Sequence, residues 1–87
     1  APGSRVEALS RIVGGRAEAV EFRANQDFAG IRVPLCKLRL KKDLLVACII
    51  RDNRVIFPSG EDCILPQDGV IVVTTRETLE GLKDILA

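Results

Sequence analysis

Arg51-Asp52-Asn53-Arg54, running on into Val55-Ile56-Phe57-Pro58, holds the densest set of chemically useful side chains in the chain. Two guanidinium groups, an amide and a conformationally fixed proline lie within a few residues. Arginine grips a phosphate or carboxylate with two parallel hydrogen bonds, so this spacing suits an anionic ligand. It equally suits an ordinary solvated hairpin tip, where charge is common. The residues alone leave both readings open.

Few other positions offer chemistry. The chain has no His, so the commonest general base is missing. Ser4, Ser10 and Ser59 lie in no nucleophile motif, and Cys36 and Cys63 have no imidazole to activate them. Glu61-Asp62 reads as a solvated turn pair. No enzymatic activity is therefore expected. Three widely spaced cysteines, with no CxxC and no His, do not make a zinc site, and Cys48 reads as a small core residue. Reduced thiols, with no visible signal peptide and no span of membrane length, point to the cytoplasm.

Thirteen basic residues face twelve acidic ones, for a net charge of +1. The one basic run, Lys37, Arg39, Lys41 and Lys42, is met at once by Asp43 and reads as a solvated loop. With so little positive excess and three Phe as the only aromatics, nucleic acid is not expected as a partner. The chain is long enough for a single domain, residues 1–87. Its apolar fraction of 47% must build a core from Leu, Ile, Val and Ala.

Gly14-Gly15 between residues 6–13 and 17–24 reads as a hairpin turn, with Glu18, Val20, Phe22 and Ala24 on one face of the second arm. Pro34 is placed to open a short helix over 34–39, with Leu35 and Leu38 facing inward. Leu44–Ile50 is a continuous apolar run, read as a strand buried on both faces. Residues 51–54 form a hairpin tip, because Asp and Asn tolerate left-handed conformations. Residues 55–57 return as a strand that Pro58 ends. A loop over 59–69 leads to a strand over 70–73. Thr74 and Glu77 match a capping box, and Leu79, Leu82, Ile85 and Leu86 fall on one face of an expected C-terminal helix. The fold class expected is α+β: a small, mostly antiparallel sheet with a short helix and a C-terminal helix packed on it.

From Ser4 to Ala87 the sequence resembles the C-terminal domain of TrkA-type proteins, also called RCK-C. SRVEALSRIVGGRAEAVEF resembles the opening hairpin. FAGIRVPLCKLRL carries the Gly-x-x-hydrophobic element, Gly30 to Val33. LLVACIIRDNRVIFPSGED resembles the central hairpin, with Arg51, Pro58 and Gly60 at its marks. ILPQDGVIVV resembles the closing Gly-Asp and strand, with Asp68 in the Asp position. The family usually has Gly before that Asp, and here Gln67 stands there.

The resemblance implies a cytoplasmic regulatory domain of a potassium-uptake system, at the inner face of the membrane through a potassium-translocating membrane subunit. NAD would belong to a separate N-terminal Rossmann-type domain, so no cofactor is expected in this chain, which would be the final copy of its unit in a longer protein. It also implies a homodimer, with cyclic di-AMP or another nucleotide as candidate ligand beside the central hairpin. In that arrangement Ile50 anchors the strand carrying Arg51, and Arg51 supplies the phosphate fork. Arg54 is a second phosphate contact or solvated, Asn53 bonds a base or ribose edge, and Ile56 and Pro58 form an apolar wall. The alternatives are an assembly domain without a ligand, and a regulatory domain of a different transporter.

Overall fold

The computed structural model describes residues 17–75 and 79–87. Four strands form one antiparallel sheet: β1 (Glu18–Arg23), β2 (Leu44–Arg51), β3 (Arg54–Ile56) and β4 (Gly69–Thr74), in the order β1-β4-β2-β3. The second arm of the expected opening hairpin is β1. Its first arm, residues 6–13, and the Gly14-Gly15 turn lie outside the described residues.

The side-chain pattern decides which face of the sheet is covered. Phe22 pairs with Val70, Val20 with Val72 and Val46 with Val72, so these side chains share an inner face. Against that face pack Ala24, Phe28, Ile64, Leu82 and Ile85, which complete the core with Leu44, Val46, Ile49, Val70 and Val72. Burying each large aliphatic side chain contributes about 1.5–3 kcal/mol.

The run 44–50 is buried on one face only. Leu44, Val46 and Ile49 are buried, whereas Leu45, Cys48 and Ile50 on the other face are half-buried. The change of phase from Val46 to Ile49 comes from a bulge: Val46 pairs with Val72, but Cys48 pairs with Ile71, leaving Ala47 as the extra residue. A bulge inserts one residue and so reverses which later side chains face inward. It turns Ile49 and Arg51 to the core side.

Two helical expectations are corrected. The segment 34–39 holds a three-residue 3₁₀ turn, Leu35–Lys37, with Pro34 before it. The amides of Leu35 and Cys36 donate to the carbonyls of Asp62 and Gly60, and the turn's own bonds, Lys37 N–H to Pro34 O and Leu38 N–H to Leu35 O, stop at Leu38, whose backbone is extended. The C-terminal helix is not found among the described residues, where 79–87 hold a 3₁₀ turn, Leu82–Ile85. Around it the backbone pairs with the segment before β2: Lys41 N–H donates to Ile85 O, Ala87 N–H donates to Arg39 O, and Leu40 bridges Leu86. Leu82 and Ile85 still enter the core, because a three-residue spacing falls on one side of a 3₁₀ turn as well as of an α-helix. Thr74, the expected cap, ends β4, and its hydroxyl donates to the Asp43 carbonyl at 3.0 Å. Glu77, its expected capping partner, lies outside the described residues.

Candidate functional site: the central hairpin

The tip is a two-residue turn. Asp52 and Asn53 have φ of 52° and 61°, the left-handed pair of a type I′ turn, which matches the twist of the flanking strands. Arg51 and Arg54 are therefore directly opposed across the ladder, on the same face as the Ile49–Ile56 pair. Two like charges in that relation repel unless something neutralises one of them.

Asp68 neutralises Arg51. Arg51 Nε donates to Asp68 Oδ1 at 2.9 Å and Nη2 donates to Oδ2 at 2.7 Å, a bidentate pair. Nη2 also reaches the Cys63 carbonyl at 3.0 Å. The Asp68 side chain is 2% exposed and that of Arg51 32%. The Leu65 amide donates to Asp68 Oδ2 at 2.8 Å. Burial pushes the Asp68 carboxyl pKa up, but the hydrogen bonds from Arg51 and Leu65 and the guanidinium charge outweigh it, so the net shift is downward. The same hydrogen bond to Asp68 raises the Arg51 pKa against the opposing effect of burial.

Asp68 is delivered by a turn. Its amide donates to the Leu65 carbonyl at 3.1 Å, closing Leu65-Pro66-Gln67-Asp68, and Gln67 has φ of 75°. Pro in the second place and a left-handed residue in the third mark a type II turn, the setting that favours Gly at position 67. Here Gln occupies it.

The structure gathers Arg51, Arg54 and Ile56 with Asp52 around an open depression of about 440 Å³. Arg54 is exposed and its guanidinium makes no ion pair among the described residues. The other candidate residues are dispersed: Asn53 is exposed at the tip, Pro58 is buried, and Ile50 faces the opposite side of the sheet, paired with Val55 and Gly69. Asp68 was legible in the sequence as a family mark but not as the partner of Arg51. No local spacing links residues 17 positions apart, and only the bulge in β2 aims Arg51 at it. Cys36 is exposed and Cys48 and Cys63 are half-buried, all three as free thiols. Among the described residues no group of three His, Cys, Asp or Glu converges on a metal site, and no helix is long and apolar enough to cross a membrane.

The sequence is similar to two proteins of Methanosarcina mazei. Trk system potassium uptake protein TrkA homolog 2 is 30% identical over 83 residues, which are 95% of this chain and 18% of that protein. TrkA homolog 1 is 29% identical over 70 residues, 80% of this chain and 16% of that protein. The chain thus spans less than a fifth of the length of these relatives. A solved structure described as an RCK domain with cda superposes with a TM-score of 0.61 at 26% identity, covering 79% of this chain and 97% of that one. Residues 17–87, the whole described sheet and both 3₁₀ turns included, match the TrkA-C domain model, and the chain belongs to the TrkA-C family.

Proposed function

We propose that this chain is the cytoplasmic regulatory domain of a Trk potassium-uptake system. In this reading it dimerises, answers to a small nucleotide and acts on a membrane potassium-translocating subunit. The match of residues 17–87 to the TrkA-C domain carries the proposal. The ligand proposed is cyclic di-AMP, held through a phosphate at the depression that Arg51, Arg54 and Ile56 line. A solved RCK domain at 26% identity is described with cda, which supports a ligand-binding role for the fold. Arg54 is the cation with its donors to spare, whereas Arg51 has one terminal nitrogen, Nη1, outside its bonds to Asp68 and Cys63.

Calorimetry tests the proposal. The unaltered chain should bind cyclic di-AMP, and Arg54→Ala should weaken binding about ten- to hundredfold, as loss of a charge-assisted hydrogen bond of ~1.5–3 kcal/mol does. Arg54 is the cleaner test position, because replacing Arg51 also strands Asp68. Absence of binding at millimolar nucleotide removes the ligand from the proposal. What then remains is a second reading, an assembly domain without a ligand. That reading is favoured by the engagement of Arg51 with Asp68 and by the Asp52 carboxylate beside the depression.

A further inference from the structure

Between Asp27 and Asp43 the chain carries five cations and no carboxylate, whereas the rest of it holds eight cations against twelve acids. The structure sets three of the five in a row. Leu38 is extended, and Leu40 bridges Leu86 between the bonds Ala87 N–H to Arg39 O and Lys41 N–H to Ile85 O. Side chains alternate along such a backbone. Leu38 Cδ2 lies against Gly30 and Leu40 packs on the core, so Lys37, Arg39 and Lys41 stand on the solvent side. Their steps are about 6.5 Å, two residues of extended chain. Lys83 joins them from the paired segment: Leu82 and Ile85 enter the core and Lys83 is exposed. The Asp84 carboxyl, held down in pKa first by the Glu80 amide, is lowered further by the charges of Lys41 and Lys83, so both stand near it. Asp84 Oδ2 is engaged by the Glu80 and Gly81 amides at 2.8 and 3.2 Å. Among the described residues, Lys37, Arg39, Lys41 and Lys83 make no side-chain hydrogen bond or ion pair. Lys42 and Asp43 have interactions of their own, so the row is counted to Lys41.

We propose that Lys37, Arg39, Lys41 and Lys83 form a contact for the anionic lipid headgroups of a bilayer. This draws on the reading of the chain as a domain working at a membrane subunit, and adds a direct contact with lipid that the reading does not contain. Three of the four cations are lysines, point charges that need no fixed partner geometry and so suit a plane of mobile headgroups. Acidic peptides are gripped by clusters of arginine, and this row has one. A nucleic-acid strand would find nothing to stack on, because residues 37–42 and 79–87 hold no aromatic. Each cation near an anionic leaflet strengthens partition about fivefold, so four give on the order of a thousandfold. Such binding is weak and reversible from bulk solution. It becomes effective once a membrane partner already holds the domain near the surface.

Cosedimentation of the 87-residue chain with lipid vesicles tests the proposal. The chain should bind mixed vesicles of phosphatidylglycerol and phosphatidylcholine at low salt, leave them as salt is raised, and ignore phosphatidylcholine alone. Arg39→Ala should weaken binding about fivefold, and the triple substitution Lys37→Ala, Arg39→Ala and Lys41→Ala about a hundredfold. The circular dichroism should not change, because these side chains point to solvent. Arg23→Gln removes a cation at the other end of the sheet, where β1 pairs with Gly69, and should leave binding unchanged. The vesicles hold no transport protein, so the result is separate from the potassium-uptake reading. Absence of binding to the mixed vesicles overturns the proposal and leaves that reading standing. Binding that survives the triple substitution, or that falls as far in Arg23→Gln as in Arg39→Ala, overturns the row as the contact. Binding to poly-glutamate but to neither vesicle gives the row to an acidic protein partner and overturns the lipid.

Discussion

β1 and β3 flank the described part of the sheet but are held in different ways. β1 pairs with β4 over six residues, Glu18–Thr74 to Arg23–Gly69, and carries its charges outward. β3 pairs with β2 over three residues only, and such a short ladder is marginal by itself. What fixes β3 comes from behind it: the I′ turn at Asp52-Asn53 and the clamp of Arg51 on Asp68 and the Cys63 carbonyl. One flank therefore depends on backbone pairing, the other on a side-chain anchor reaching from the loop before β4. The flank with the shorter ladder is also the one that presents apolar side chains and the candidate ligand depression.

Removing the anchor should separate the two flanks most strongly. Asp68→Ala leaves the Arg51 guanidinium half-buried without its counter-charge and the Leu65 amide without its acceptor. Breaking a fully buried pair from one side costs about 3–5 kcal/mol. Arg51 is a third exposed, so solvent screens part of that, and a loss of about 2–3 kcal/mol is expected. For a domain of this size that lowers Tm by roughly 10 °C or more. Amides of β3 and of residues 63–68 should exchange faster than those of β1 measured in the same sample. Equal acceleration in both strands would show that the clamp supports the whole sheet and not one flank.

Acid should act in the same direction but more gently, through the same carboxylate. The folded-state pKa of Asp68 lies below its unfolded value. Its contribution is therefore fully present above the unfolded value and is lost as pH falls through the folded one. Asp84, accepting from the Glu80 and Gly81 amides, is also shifted down, first by those backbone bonds, and adds to the same trend. Stability should hold steady from neutral pH and decline below about pH 4. In Asp68→Asn the decline should be shallower. An unchanged slope in that variant would remove Asp68 as a source of the acid sensitivity.

The contrast between the flanks was only partly legible in the sequence. The hairpin tip was readable, because Asp52-Asn53 is a local signal that needs no tertiary context. So was the inward face of β1, where Val20, Phe22 and Ala24 alternate with exposed residues. The run LLVACII hid its own phase: every member is apolar, so nothing marks Ala47 as the bulged residue or tells which side chains turn inward after it. The direction of Arg51 depends on that phase, which is why it read as an open phosphate fork although its donors close on Asp68. Leu79, Leu82 and Ile85 recur every third residue, a spacing shared by an α-helix and a 3₁₀ turn. Pairing with residues 39–41 decides between them, and that is a long-range fact. For the candidate ligand residues, type and spacing were visible, but the register that pairs Ile50 with Val55 and Ile56 with Ile49, and so puts Ile50 and Ile56 on opposite faces, was not.

The turn at Gln67 touches both flanks and offers the mildest test of their difference. Its amide donates to the Ala24 carbonyl at 2.9 Å and its carbonyl accepts from Arg23 Nη1 at 2.9 Å, both at the end of β1. The next residue is Asp68, the anchor of β3. Gln67 holds a φ of 75°, which costs a non-glycine residue about 1–2 kcal/mol. Glycine removes that strain but is more flexible when unfolded, which returns about 0.5–1 kcal/mol. Because the Gln67 contacts to the end of β1 are made by its backbone, Gln67→Gly keeps them. A net gain of about 0.5–1 kcal/mol is expected, read as a higher urea midpoint with an unchanged slope. If the turn ties the flanks together, exchange at the end of β1 and at β3 should slow by the same factor. Slowing confined to β3 would mean that the turn serves only to deliver Asp68, and that the bonds from Gln67 to Arg23 and Ala24 follow β1 without supporting it.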